Sequence, residues 1–160
     1  MSDTATIRPA VQADVESILA LMPRLADFNV PARRNPEHLW MSDADILRVW
    51  AKGDRPDCIV QVAEAQDGRI AGFSIVSLRP ELLSHAPSSH LEAIAVAPGF
   101  ERQGIGQRLL GAAERRARER GAESMTLHVF AVNDRARAMY EKAGFDGELV
   151  RYYKPLQSGD

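Results

Sequence analysis

Gly104 and Gly106, with Arg102 just before them, form the stretch of this chain whose residue types and spacing most directly imply chemistry. They stand where an alternating apolar run, Leu91-Glu92-Ala93-Ile94-Ala95-Val96, gives way to a segment of helical periodicity that lasts to about Gly121. A strand delivers a glycine-containing turn to the start of a helix. There the first backbone N–H groups have no intrahelical partner, and the helix dipole adds partial positive charge. An anion such as a phosphate fits that place, because residues without a Cβ let it approach the peptide nitrogens, and Arg102 adds a cation. A Gly-x-Gly pair also marks an ordinary tight turn. A dinucleotide fingerprint needs a third glycine where Leu109 stands, and nothing matches the P-loop pattern.

The elements that must position this turn read as one α+β domain over residues 1–160. At 160 residues the chain has the size of a single domain, and 45% apolar residues with a net charge of -2 describe a globular protein with no bias toward nucleic acid. Cys58 is the only cysteine, which excludes an intrachain disulfide and fits a reducing compartment. Without a basic-then-apolar leader or a bilayer-length apolar run, the expectation is a cytoplasmic chain with no membrane contact.

In chain order, Thr4–Arg8 reads as a strand. Val15, Ile18, Leu19, Met22 and Leu25 mark a helix that Pro23 kinks or breaks. Residues 28–40 look irregular, and Ser42 is the expected N-cap of a helix through Ile46, Leu47 and Trp50 that stops at Gly53. Strands at 58–65 and 69–78 flank the hairpin signal Gln66-Asp67-Gly68. Residues 79–89 read as an extended loop, 91–96 and 124–130 as strands, and 150–154 as a closing strand. Between the last two strands Asn133 is the expected N-cap of a helix whose apolar positions are Ala136, Met139, Tyr140 and Ala143, with Gly144 as its stop.

Taken together, Arg102-Gln103-Gly104-Ile105-Gly106 and the segment Asn133-Asp134-Arg135-Ala136-Arg137-Ala138-Met139-Tyr140-Glu141-Lys142-Ala143-Gly144-Phe145 closely resemble the GNAT superfamily of N-acetyltransferases. The opening Ile7-Arg8-Pro9-Ala10 and the order of elements are similar too. The resemblance implies a mixed, mostly antiparallel sheet of six or seven strands with helices on both faces. It implies acetyl-CoA as co-substrate, lying between two parallel strands that end near Val96 and Phe130. Its pantetheine arm would bond to the backbone at Ile94, Ala95 and Val96. Its pyrophosphate would sit on the N–H groups of Arg102, Gln103, Gly104, Ile105, Gly106 and Gln107. Asn133, Ala136 and Tyr140 complete the cofactor-binding set. The resemblance departs at Glu101, where the family has Arg or Gln; an acid there repels a pyrophosphate unless it points to solvent. Met139 replaces a leucine at similar volume.

The chemistry so implied is direct transfer of an acetyl group to a primary amine in a ternary complex. A lysine-type amine, with pKa about 10.4, must first lose a proton. Glu92 is the expected base: its alternation with apolar Ile94 and Val96 makes a charge at that position unusual. A solvated or salt-bridged Glu92 is the duller reading, and His90 is the rival base. Tyr140 is the expected proton donor to the departing thiolate, with core packing as its alternative; Asn133 holds the pantetheine amide, caps its helix, or does both. No metal site is expected, because His38, His85, His128 and Cys58 lack ligand spacing. The arginines at 108, 115, 116, 118 and 120 alternate with acids and read as a solvated helix face. Arg33, Arg34 and Trp40 fall where the family builds its acceptor pocket. A homodimer is an expectation of the resemblance alone. A non-catalytic fold that binds acyl-CoA or a partner is the alternative function.

Overall fold

The computed structural model describes residues 5–157. Its centre is a five-stranded sheet in the order β1 (Thr6–Pro9), β2 (Cys58–Glu64), β3 (Ile70–Pro80), β4 (Pro87–Val96), β5 (Met125–Leu127). The first three pairings are antiparallel and the β4–β5 pairing is parallel. A parallel neighbour needs a crossover, supplied by α3 (Ile105–Glu119). On the opposite face lie α1 (Val15–Leu21) and α2 (Met41–Ala51), while α4 (Asp134–Lys142) sits beside α3.

Alternation in the strands builds two cores, one on each face of the sheet. Val60, Val62, Phe73, Ile75 and Ala93 meet Ile18, Met22 and Leu47 on the α1/α2 face. Ile59, Val76 and Leu91 meet Leu110, Ala113 and Ala117 of α3 on the other, with Tyr140 and Phe145 packed alongside. The β2–β3 turn follows its sequence signal: Gly68 has φ +88°, and the Gly68 N–H donates to the Ala65 carbonyl over 2.9 Å. Pro23 has its expected effect as well. α1 ends at Leu21 and the chain tightens into a 3-10 turn over Met22–Ala26.

Several boundaries differ from the sequence reading. β1 begins at Thr6, and Thr4 lies outside the described residues. Ser42 is not the cap of α2: a 3-10 turn at Pro36–Leu39, capped by Asn35, runs straight into the helix, and the Ala44 N–H already donates to the Trp40 carbonyl. The stretch 79–89 is mostly strand, since Arg79 pairs with Ser88 and Pro80 with Pro87. Polar residues disguised it; Ser88 and Ser89 are buried because Ser124 accepts and shares their hydroxyl bonds. The closing strand at 150–154 does not form, so among the described residues the sheet has five strands rather than six or seven. β5 offers only three paired residues as an edge, and Tyr153 is instead drawn beneath the Arg34 guanidinium, 3.9 Å from its ring centre.

Gly72 marks the tightest point of the sheet. A Cβ there would stand 2.8 Å from the Ala95 carbonyl oxygen and 3.1 Å from Leu109 Cδ1. Gly72→Ala is expected to lower stability by about 1–3 kcal/mol, read as a lower urea midpoint at unchanged slope. Adding Leu109→Ala gives no rescue, because the nearer obstacle is backbone.

Candidate active site

The parallel β4–β5 ladder lasts only from Ser89↔Met125 to Leu91↔Leu127. Beyond it the strands part, and a cleft of about 320 Å³ opens between Leu91–Val96 on one side and His128–Phe130 on the other. The period-2 rule fixes which β4 groups face it. The Ala97 N–H donates to Ala71 of β3, so Ala95 also turns toward β3, while Ile94 and Val96 turn their N–H and C=O groups into the cleft. The Val96 carbonyl accepts from Arg24 Nε at 3.2 Å. Of the three residues expected to meet pantetheine, Ala95 is therefore the one whose backbone points the wrong way.

Glu92 is the first residue past the last β4–β5 pair, and it sits on a bulge: Ile75 pairs with Ala93 and Val76 with Leu91, leaving Glu92 opposite no residue. Simple alternation would put Glu92 on the face of Ile94 and Val96. The bulge moves it to the α2 face instead, with Ala93. There its side chain is 15% exposed and accepts a hydrogen bond from the Ser77 hydroxyl, with Arg79 and His90 each 3.9 Å away. His90, the rival base, is buried in β4 with Nδ1 2.7 Å from Thr126 Oγ1. Burial, then Arg79, push its pKa down to about 4, which makes it a poor proton acceptor.

The turn before α3 has the form of an anion receptor. Arg102 and Gly104 both have positive φ, +62° and +76°, which swings successive N–H groups to one side. Arg108 donates the first helical bond, to Gly104, and among the described residues no acceptor meets the N–H groups of 102–107. A phosphate fits these unpaired donors. The two glycines have different reasons: Gly104 is needed for its backbone angle, whereas a Cβ on Gly106 would press 3.1 Å from Met139 Sδ. Gln107 Nε2 donates to the Met139 carbonyl, tying α3 to α4. Glu101 does not simply point to solvent. It bridges Arg24 at 2.7 Å and Arg135 at 3.1 Å, and these guanidiniums hold its carboxyl below the usual range.

Across the cleft, Asn133 caps α4 by accepting from the Ala136 N–H, and Asn133, Ala136 and Tyr140 all line the opening. Tyr140 packs edge-on against Phe145, and burial raises its hydroxyl to about 12. Cys58 is buried in β2 away from the cleft. Three charged lining residues, Arg24, Asp27 and Asp43, escaped the sequence reading. Arg24 falls in the turn after Pro23, where helical periodicity gives no guide. Asp43 was legible: it precedes buried Leu47 by four residues and so shares the inner face of α2. Asp43 is 8% exposed, and burial, aided by Glu92, raises its carboxyl to about 7.

The fold and cleft define a class: an α+β layer structure opening between two parallel strands beside a helix N-terminus. The chain belongs to the acetyltransferase (GNAT) family, whose profile matches residues 22–145. It is similar to the streptothricin acetyltransferase of Streptomyces lavendulae, 39% identical over 95 residues, covering 59% of this chain and 48% of that protein. It is also similar to the ribosomal protein bS18 alanine N-acetyltransferase of Escherichia coli K12, 36% identical over 95 residues, covering 59% and 60%. The match covers less than two thirds of either relative's length. Among solved structures, an aminoglycoside antibiotic 6'-N-acetyltransferase from Acinetobacter baumannii shares the fold at a TM-score of 0.72 and 21% identity, covering 96% and 99%.

Asp43 has a signed consequence for stability. Its folded pKa of about 7 lies above the ordinary 3.8, so its contribution is full below about pH 4 and is lost as pH rises to 7. Asp43→Asn is expected to gain stability relative to the parent progressively over that window and to hold the gain above it, as read by denaturant midpoints.

Proposed function

We propose that this chain is an acetyl-CoA-dependent N-acetyltransferase acting on a primary amine by direct transfer within a ternary complex, and that residues 1–160 form one such domain. The observation that carries the reading is the parting of β4 from β5 beside the unpaired N–H groups of 102–107. The Ile94 and Val96 backbones would pair with the pantetheine amides like an added strand. The N–H groups of 102–107, with Arg102, would hold the pyrophosphate, and the pairing of Glu101 with Arg24 and Arg135 removes its objection to that charge.

Glu92 takes a proton from the incoming ammonium, directly or through water, freeing the nitrogen lone pair to attack the thioester carbonyl. Unpaired β4 amides supply donors for the oxygen that becomes negative. As the C–S bond breaks, the sulfur leaves as a thiolate of pKa about 8.5. The Tyr140 hydroxyl, raised to about 12, is too weak an acid for an easy full transfer, so it hydrogen-bonds the sulfur. The attacking nitrogen sheds its second proton as the amide forms, and of the two protons the amine loses one completes the thiol and the other leaves through Glu92 to solvent. Cys58, buried and pushed up to about 11, is no nucleophile for an acyl-enzyme.

Release of free thiol from acetyl-CoA across a panel of primary amines tests the activity. Glu92→Gln is expected to lower kcat/KM by at least about 100-fold with CoA affinity kept, and Tyr140→Phe to lower kcat by about 10–100-fold. Tight CoA binding without thiol release for any amine would favour a binding module instead.

A further inference from the structure

The cleft carries an uneven set of charges. Four acids line it, Asp27, Asp43, Glu92 and Glu101, against two arginines, Arg24 and Arg135. Both arginines are committed. Arg24 pairs with Asp27 and Glu101, and Arg135 pairs with Glu101. Glu92 accepts from Ser77 and has Arg79 nearby. Asp43 alone has nothing: among the described residues no hydrogen bond or ion pair reaches its carboxylate, although it is 8% exposed and borders the cleft.

A carboxylate removed from water without a partner is costly, and helices ordinarily turn such a residue outward. Asp43 instead occupies the inner face of α2, in the first turn, where the helix dipole gives an anion modest support. Burial outweighs that support, and the neighbouring Glu92 adds repulsion. A cation entering through the cleft answers both problems, since it pairs Asp43 and screens it from Glu92. A metal ion does not suit the place: among the described residues no group of three His, Cys, Asp or Glu is arranged to hold one. An ammonium needs no such set.

We propose that Asp43 is the counter-ion for a second, non-reacting ammonium of the acceptor, so that this site selects dibasic amines, presenting one nitrogen to Glu92 and holding the other at Asp43. The inference takes its frame from the acetyltransferase reading but is tested apart from it. Asp43 acts as a binding and specificity residue; the chemical step stays with Glu92 and Tyr140.

Calorimetric titration of the protein, alone and saturated with CoA, compares 1,4-diaminobutane, 1,5-diaminopentane and 1,6-diaminohexane with the monoamines of equal length. At least one diamine is expected to bind about ten-fold tighter than its monoamine partner, and Asp43→Asn to reduce that preference below about three-fold. Asp43→Glu, which keeps the charge on a longer arm, is expected to retain a preference but move it to a shorter diamine. This also serves as the second variant should Asp43→Asn fold poorly. In turnover, Asp43→Asn raises KM for the preferred diamine about ten-fold while kcat and the KM for acetyl-CoA stay within about two-fold. Equal binding of diamines and monoamines by the parent protein, or a preference that survives Asp43→Asn, overturns the proposal. Thiol release without diamine preference overturns it while leaving the acetyltransferase reading intact. Diamine preference that Asp43→Asn removes, with no thiol released, supports it and defeats the activity.

Discussion

The end of the β4–β5 ladder at Leu91 and Leu127 is the constraint from which the site follows. A parallel pair that kept zipping would satisfy its own backbone and leave no cleft. Here the bulge at Glu92 falls at the first unpaired position, so one irregularity ends the pairing geometry and rotates a carboxylate to the face where α2 waits. The backbone groups of Ile94 and Val96 are left needing partners, and Arg24 already supplies one for the Val96 carbonyl. The crossover α3 must start where β4 ends, which sets its unpaired N–H groups at the mouth of the same cleft.

Charge is divided along that cleft in a way that suits two unlike partners. Toward the start of α3 lie free amides and the exposed Arg102, which favour a phosphate. Toward α2 lie Asp43 and Glu92, which favour a cation. Glu101 is the piece that keeps the two ends apart electrically: an acid at the phosphate end, it is neutralised by Arg24 and Arg135 rather than left to repel an anion. The departure from the family pattern at Glu101 is thus compensated by residues far away in sequence, one in the turn after α1 and one at the head of α4.

Local signals made much of this legible in the sequence. The Gly68 turn, the Asn133 cap and the stop at Gly144 each follow from one or two residues acting on nearby backbone, and all are present. The two-part motif at 102–106 and 133–145 gave the family. What escaped depends on contacts across the fold. No local pattern announces a bulge at Glu92, because it is a mismatch between two strands rather than a property of either. Ser88 and Ser89 hid the start of β4, since their burial depends on Ser124. The stretch 150–154 carries the β-branched and aromatic residues Val150, Tyr152 and Tyr153 that favour a strand, yet a strand also needs a neighbour, and β5 is too short to be one. Asp43 is different in kind: its spacing to Leu47 places it inward, but that it lines the cleft depends on β4 across the fold.

The central claim is that the backbone left unpaired by the splayed β4, and the amides before α3, are what receive the coenzyme. Amide hydrogen exchange with and without saturating CoA tests it directly. Exchange at Ile94, Val96 and residues 105–107 is expected to slow by at least about ten-fold on binding, while Ala97 and the β2–β3 ladder, already paired, stay unchanged. CoA that binds with those amides as fast as before, and protection elsewhere, would contradict the account.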